Sequence, residues 1–158
     1  MTYALGRASL AELAGVHPQL VAVVKRAIQI TTQDFSVHDG LRTLEEQREY
    51  VRRGVSKTMA SKHMRQADGY GHAVDLVPYV NGKLRWEWPL IYSIAVAVDE
   101  AATGMGIADR IRWGGVWDRN MGQYGTGAAI SMQQAVAEYC ARHPGPDFID
   151  GPHFEWLS

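Results

Sequence analysis

The sequence predicts an α+β fold, a single domain in which a small antiparallel sheet is flanked by helices. Three observations lead there. The chain has 158 residues with 46% hydrophobic content, enough for one buried core without metal or disulfide staples. Helical and strand-like segments are mixed without the strand-helix-strand rhythm of a parallel sheet. Between two short strand patterns sits Asn81-Gly82, a strong signal for the tight turn that joins antiparallel strands.

From Pro18 to Thr31, apolar residues at Leu20, Val23, Val24, Ala27, Ile28 and Ile30 fall close to helical spacing, with Pro18 in the first turn. Asp34 to His38 alternates as a short strand and ends in a turn at Asp39-Gly40. Thr43, followed three residues later by Glu46, forms a capping box for a helix that stops at Gly54. Val55 to Gly71 is a loop of small and polar residues. His72 to Val80 is a strand, and the Asn81-Gly82 turn leads into a second at Lys83 to Trp86. Pro89 to Thr103 is an apolar helix, and Arg110 to Trp113 a strand ending at Gly114-Gly115. Ala128 to Arg142 is helical by pattern; a Pro/Gly stretch then precedes a terminal strand around His153 to Leu157.

Composition excludes several function classes. Sixteen Lys and Arg against seventeen Asp and Glu give a net charge of -1, unsuited to gripping a phosphate backbone, so no nucleic-acid partner is expected. Cys140 is the single cysteine and forms no internal disulfide. The longest apolar run, Leu90 to Val98, is too short to span a bilayer, so no stable membrane insertion is expected. Met1 to Leu10 lacks the basic patch and apolar stretch of a secretory signal. No repeat or linker divides residues 1–158, which are read as one domain.

His63, His72 and His153 each lie near a carboxylate. On an extended strand His72 and Asp75 point to opposite faces, whereas Ala73, Asp75 and Val77 share one. Asp75 is therefore the better metal ligand, with a small alanine beside it. His63 precedes that strand in a loop that can fold back over it, and His153 lies on what reads as a neighbouring strand. A strand histidine is more often a surface or hydrogen-bonded core residue than a ligand, so spacing alone leaves metal binding open.

The motifs say more. Ser61-Lys-His63 followed by Gly71-His-Ala73-Val-Asp75 resembles the Ser-x-His-x-x-Gly-x-Ala-x-Asp signature of the D-alanyl-D-alanine carboxypeptidase and L-alanyl-D-glutamate peptidase family, to which many phage endolysins belong. Gly40-Leu-Arg-Thr43 with Gln47, Ser56-Lys-Thr58, Trp113-Gly-Gly115 with Trp117, and Asp150-Gly-Pro-His-Phe-Glu155 are similar to further elements of that family, in the same order. The chain departs from the pattern twice. About five residues within Met64 to Tyr70 are inserted after His63; the ungapped ligand position, 68, is an aspartate. A long stretch, about 120–146, separates Trp117 from Asp150 and is read as an inserted helical segment, a flap beside the cleft.

The resemblance implies a hedgehog/D-Ala-D-Ala peptidase-like fold and a Zn²⁺ ion held by His63, Asp75 and His153, with water in the fourth position. It makes Asp150, three residues before the last ligand, the general base. Glu155 is its rival, because it shares a strand face with His153 and could orient that ligand instead. Arg42 is the candidate for a substrate carboxylate, such as the free α-carboxylate of a γ-linked D-glutamate, and Ser61 for bracing the loop or donating to substrate. Trp113 and Trp117 floor the cleft or fill the core. His17, His38 and His143 carry no metal-like context and are read as surface or capping residues. The implied activity is hydrolysis of peptidoglycan stem peptides, with the L-alanyl-D-glutamate bond first and terminal D-alanine second. A non-catalytic cell-wall-binding protein and a virion-attached wall enzyme are the remaining alternatives. A monomer is expected, made in the host cytoplasm, released to the wall through a pore formed by a holin-type partner.

Overall fold

Strand β2 (Ala73–Val80) is the centre of the sheet, and its alternation sets two faces with different chemistry. Strands β1 (Phe35–Asp39), β2, β5 (His153–Trp156) and β4 (Ile111–Trp113) lie side by side in that order, all antiparallel, and β3 (Lys83–Leu84) adds a hairpin to β2. The computed structural model describes residues 2–56, 58–124, 128–146 and 148–158.

Directly opposed residues share a face, so the register reads out both faces. Val74 opposes Phe154, which opposes Trp113, and Trp156 opposes Ile111. With Leu76 and Val37, these residues join the core under the helices. On the other face Ala73 opposes Glu155, which opposes Arg112, and Asp75 opposes His153. One face is hydrophobic throughout; the other carries a row of charge.

The helices cover the apolar face. Helix α2 (Pro18–Ile30) buries Leu20, Val23, Val24, Ala27 and Ile28, the predicted stripe, and packs against α4 (Trp88–Gly104), which also reaches β2. Helix α3 (Leu44–Arg52) begins at the Thr43 capping box, in which the Thr43 hydroxyl accepts from the Glu46 amide and the Glu46 carboxylate accepts from the Thr43 amide. The β2–β3 hairpin turns at Asn81 and Gly82 with φ of 51° and 79°, the left-handed pair its turn type requires. No helix among the described residues is long and apolar enough to cross a membrane.

Two features differ from expectation. No apolar period announces α1 (Arg7–Glu12), whose single buried residue is Ser9. Its reason is tertiary, because the Ser9 hydroxyl accepts from the Val37 amide on β1 at 3.0 Å. The predicted flap behaves otherwise as well. Of the stretch 120–146, residues 125–127 lie outside the described part; α5 (Ala129–Arg142) packs on α4 through Met132, Ala135, Val136 and Tyr139, and contributes no residue to the cleft described below. It joins the core because it carries its own apolar stripe. Its end is pinned where Arg142 and His143 meet Asp118, at 2.8 and 3.1 Å.

Asp99, buried on α4, has among the described residues only the Thr103 hydroxyl as a partner in hydrogen-bond range, at 3.4 Å. Burial, reinforced by the charge of Glu100, raises its pKa to about 6. The folded chain thus binds this proton more tightly than the unfolded chain. The group costs nothing below about pH 4, and its cost grows as pH rises through 6, reaching roughly 3 kcal/mol. Asp99→Asn is expected to stabilise the protein by about that amount at pH 7.5, with the gain vanishing near pH 4 in denaturant titrations at the two pH values.

Candidate metal centre and cleft

Asp75 lies at the heart of the charged face, and its Oδ1 is buried without a hydrogen-bond donor. Two imidazole nitrogens face that oxygen instead, His63 Nε2 at 3.3 Å and His153 Nδ1 at 3.5 Å, and the three atoms lie within 4.8 Å of one another. A tetrahedral ion with arms of about 2.0–2.2 Å has ligand-to-ligand edges of roughly 3.3–3.6 Å, which matches both spacings to Asp75. An orphaned carboxylate oxygen between two imidazoles therefore fits a divalent cation.

Each imidazole is held so that its inward nitrogen carries the lone pair. His63 Nδ1 donates to the Gly40 carbonyl at 2.9 Å, leaving Nε2 free. His153 Nε2 donates to Glu155 Oε1 at 2.9 Å, leaving Nδ1 free. Glu155 is in turn fixed by Arg112, at 2.7 Å on its other oxygen. Burial works against the Glu155 charge, yet the bonds from His153 and Arg112 outweigh it and hold its pKa below the usual carboxylate range. Burial disfavours a charged His153, but the flanking carboxylates of Asp75 and Glu155 overcome this and raise its pKa to about 9, so a cation at Nδ1 competes with a proton for that lone pair. Asp75 is pushed up by burial and held well below the ordinary range by the two histidines.

Local chain geometry positions these groups. The inserted residues after His63 close on themselves, with the Gln66 amide donating to the Tyr70 carbonyl and the Gly69 amide to the Gln66 carbonyl, so His63 stays turned inward. Gly40 passes so close to the end of α1 that a Cβ would lie 1.8 Å from the Glu12 carbonyl oxygen, and that approach sets its own carbonyl over His63. The turn carrying Asp150 is clamped to the end of β4: the Asp150 amide donates to Gly114 at 2.9 Å, the Gly114 amide to His153 at 2.8 Å, and Trp113 Nε1 to Gly151 at 2.6 Å. Trp113 is thus a buried core residue that also holds this turn.

These groups line a cleft of about 520 Å³ that also takes in Arg42, Ser61, Trp117 and Asp150. Burial, then the charge of Asp75, raises the pKa of Asp150, while His153, His63 and Arg42 pull it down. Arg42 is buried rather than a surface arginine. Its Nε and Nη2 donate to Asp39, its Nη1 to Gln47 at 2.7 Å, and its guanidinium stacks 4.4 Å above the Tyr50 ring. Ser61 accepts from the His63 amide at 3.2 Å, bracing the ligand loop.

A profile of the family described as phage L-alanyl-D-glutamate peptidase matches residues 1–132. The chain belongs to that family. The L-alanyl-D-glutamate peptidase of Escherichia phage T5 is 30% identical over 122 residues, spanning 75% of this chain and 84% of the relative. The crystal structure of the Serratia marcescens L-Ala D-Glu endopeptidase ChiX is 35% identical and superposes with a TM-score of 0.68 over 97% of this chain and 90% of that one.

In this family member the structure brings together all six residues singled out from sequence: His63, Asp75, His153, Asp150, Arg42 and Ser61 line one cleft. Trp117 is a cleft residue, its ring 5.2 Å from His153 and its Nε1 donating to the Phe148 carbonyl at 2.7 Å. His72 turns away, as alternation requires, and bonds Asp68, the ungapped ligand position, at 2.7 Å. His17 caps α2. Tyr50, Lys62 and Phe148 line the cleft without having been flagged. None of them carries a sequence signal, since each is an unremarkable residue until the loop folds. Gln47, fully buried, ties Arg42 to Ser56 and the Thr58 carbonyl; Lys57 between them lies outside the described residues.

A Cβ at Gly114 would lie 2.1 Å from the Asp150 carbonyl oxygen. Gly114→Ala is therefore expected to cost about 3 kcal/mol in denaturant unfolding and to weaken divalent-metal binding by displacing the turn before His153. An unaltered melt would show that the clamp on this turn is loose.

Proposed function

We propose that this chain is a zinc-dependent endopeptidase that hydrolyses the L-alanyl-D-glutamate bond of peptidoglycan stem peptides, acting at the cell wall as a phage or prophage endolysin. The observation that carries this reading is the orphaned Asp75 oxygen between two oriented imidazoles, in a cleft of a chain from this peptidase family. Two nitrogens and one carboxylate oxygen with room for a fourth ligand are a donor set typical of catalytic zinc. His63, Asp75 and His153 would hold the ion, which when bound polarises the scissile carbonyl and lowers the pKa of water toward neutrality.

The chain's own residues do the rest. The Asp150 carboxylate takes the proton of the attacking water and passes it to the departing amine, a role suited to a half-buried carboxylate with a raised pKa at the cleft. Glu155, bonded to both His153 and Arg112, is the orienting partner of a ligand. Arg42 has five N–H donors, of which Asp39 and Gln47 engage three, so it retains donors for a substrate oxygen; Ser61 lines the same cleft. Trp117 and Phe148 add apolar lining to the cleft. A pore-forming partner would suit release to the wall in a lysis role, and a monomer suffices because every group named comes from one chain.

Purified peptidoglycan digested with the metal-loaded protein should yield fragments with a new D-glutamate amino terminus by mass spectrometry. A chelator should abolish the cut and added Zn²⁺ restore it. Cleavage at another bond, or chelator-resistant cleavage, would overturn the reading. The two carboxylates separate cleanly. Asp150→Ala should lower kcat by about 10²–10⁴ with metal retained, whereas Glu155→Ala should weaken metal binding by about 10–100-fold. Near-normal turnover in Asp150→Ala beside a dead, metal-bound Glu155→Ala would exchange their roles.

A further inference from the structure

The charges around the cleft are nearly all spoken for. Asp75 sits between two histidines, Glu155 between His153 and Arg112, and the Arg42 guanidinium is paired with Asp39. Among the cations of the cleft, Lys62 is the exception. It is exposed, it lines the cleft, and among the described residues it makes no ion pair. Its backbone is nonetheless fixed, because the His72 amide donates to the Lys62 carbonyl at 2.7 Å and the neighbouring His63 amide to Ser61. A point charge on a flexible stem, anchored one residue from a metal ligand, is placed to meet an anion that arrives with the substrate.

The proposed substrate brings such an anion to that place. In a stem peptide the D-glutamate is linked onward through its γ-carboxyl, so its α-carboxylate is free. That carboxylate hangs from the carbon that bears the scissile nitrogen, and its carbon lies only about 2.5 Å from that nitrogen. Whatever reads it must sit within one side-chain length of the metal ligands. Arg42 has its charge largely neutralised by Asp39, which leaves it suited to hydrogen bonding rather than to supplying net charge.

We infer that Lys62 binds the α-carboxylate of the D-glutamate on the leaving side of the bond, and so makes the enzyme prefer stem peptides with a free α-carboxylate over those carrying an α-carboxamide. This rests on the L-alanyl-D-glutamate reading above. Because the carboxylate is present before and during the reaction, the contact acts on substrate and transition state alike and appears mainly in KM.

The test uses two synthetic stem peptides, identical except for an α-carboxylate or an α-carboxamide on the D-glutamate, with the metal-loaded full chain. Wild type should cut both between alanine and glutamate and favour the carboxylate about tenfold in kcat/KM, the size of one charge-assisted hydrogen bond. Added salt should narrow that preference. Lys62→Met should bring the ratio close to one through KM, Lys62→Arg should keep most of it, and Lys62→Glu should invert it. Metal content and melting temperature, measured on each variant, separate misfolding from loss of recognition. An unchanged ratio in Lys62→Met, or equal losses on both peptides, overturns the role of Lys62 while the peptidase reading stands. Failure of wild type to cut the alanine-glutamate bond in either peptide overturns the peptidase reading itself, and this inference with it.

Discussion

A carboxylate oxygen buried without a donor is among the least favourable things a folded chain can contain, and Asp75 Oδ1 is such an atom. Its tolerance depends on the two imidazoles that face it, a grouping that could hold a cation. Much of the surrounding architecture reads as the means of holding those imbalanced charges in place. Asp75 and His153 are directly opposed on adjacent strands, the stiffest placement a sheet offers, and His63 is brought over them from a loop.

Both histidines depend on a second partner for orientation, and the two partners are of different kinds. His63 donates to a backbone carbonyl at Gly40, whose position follows from its tight approach to the end of α1. His153 donates to Glu155, a side chain that needs its own cation, Arg112, to remain an anion in a buried setting. One ligand is thus tied to the packing of the N-terminal segment, and the other to a chain of charge running across β5 and β4. Arg42 follows the same logic. Its carboxylate partner, Asp39, comes from the end of β1 after an irregularity in the β1–β2 register, and Gln47 of α3 completes the cradle while reaching the Ser56–Thr58 loop. The cleft wall on that side is therefore as firmly built as the metal side, although it consists of loop.

The two faces of the sheet divide the labour. Apolar residues of β2, β5 and β4 meet α2 and α4 and supply the burial that stabilises the domain, leaving the opposite face free to carry charge at a net cost. Helix α5 adds to the hydrophobic side rather than covering the cleft, and the segment after it returns Phe148 to the site. Trp113 belongs to both halves, since its ring is core and its N–H holds the turn between Asp150 and His153.

Most elements were legible in the sequence because their signals are short-ranged: the Thr43–Glu46 box, the Asn81-Gly82 turn, the stripe of α2 and the alternation that separated Asp75 from His72 each involve residues a few positions apart. The identities of the candidate ligands were legible too, through the joint order of the motifs. Other features were decided by contacts between distant parts of the chain. The sheet order placed β5 between β2 and β4, and so set His153 against Asp75 and Glu155 against Arg112. Helix α1 has no apolar period of its own; its seat on β1 through Ser9 and the seat of α5 on α4 are likewise long-range outcomes. Sequence alone determined which local structures and which chemical groups were available, since these depend on neighbours along the backbone. Tertiary structure alone decided which charges acquire partners and which, like Lys62, are left facing the cleft, because electrostatic pairing depends on distance in space.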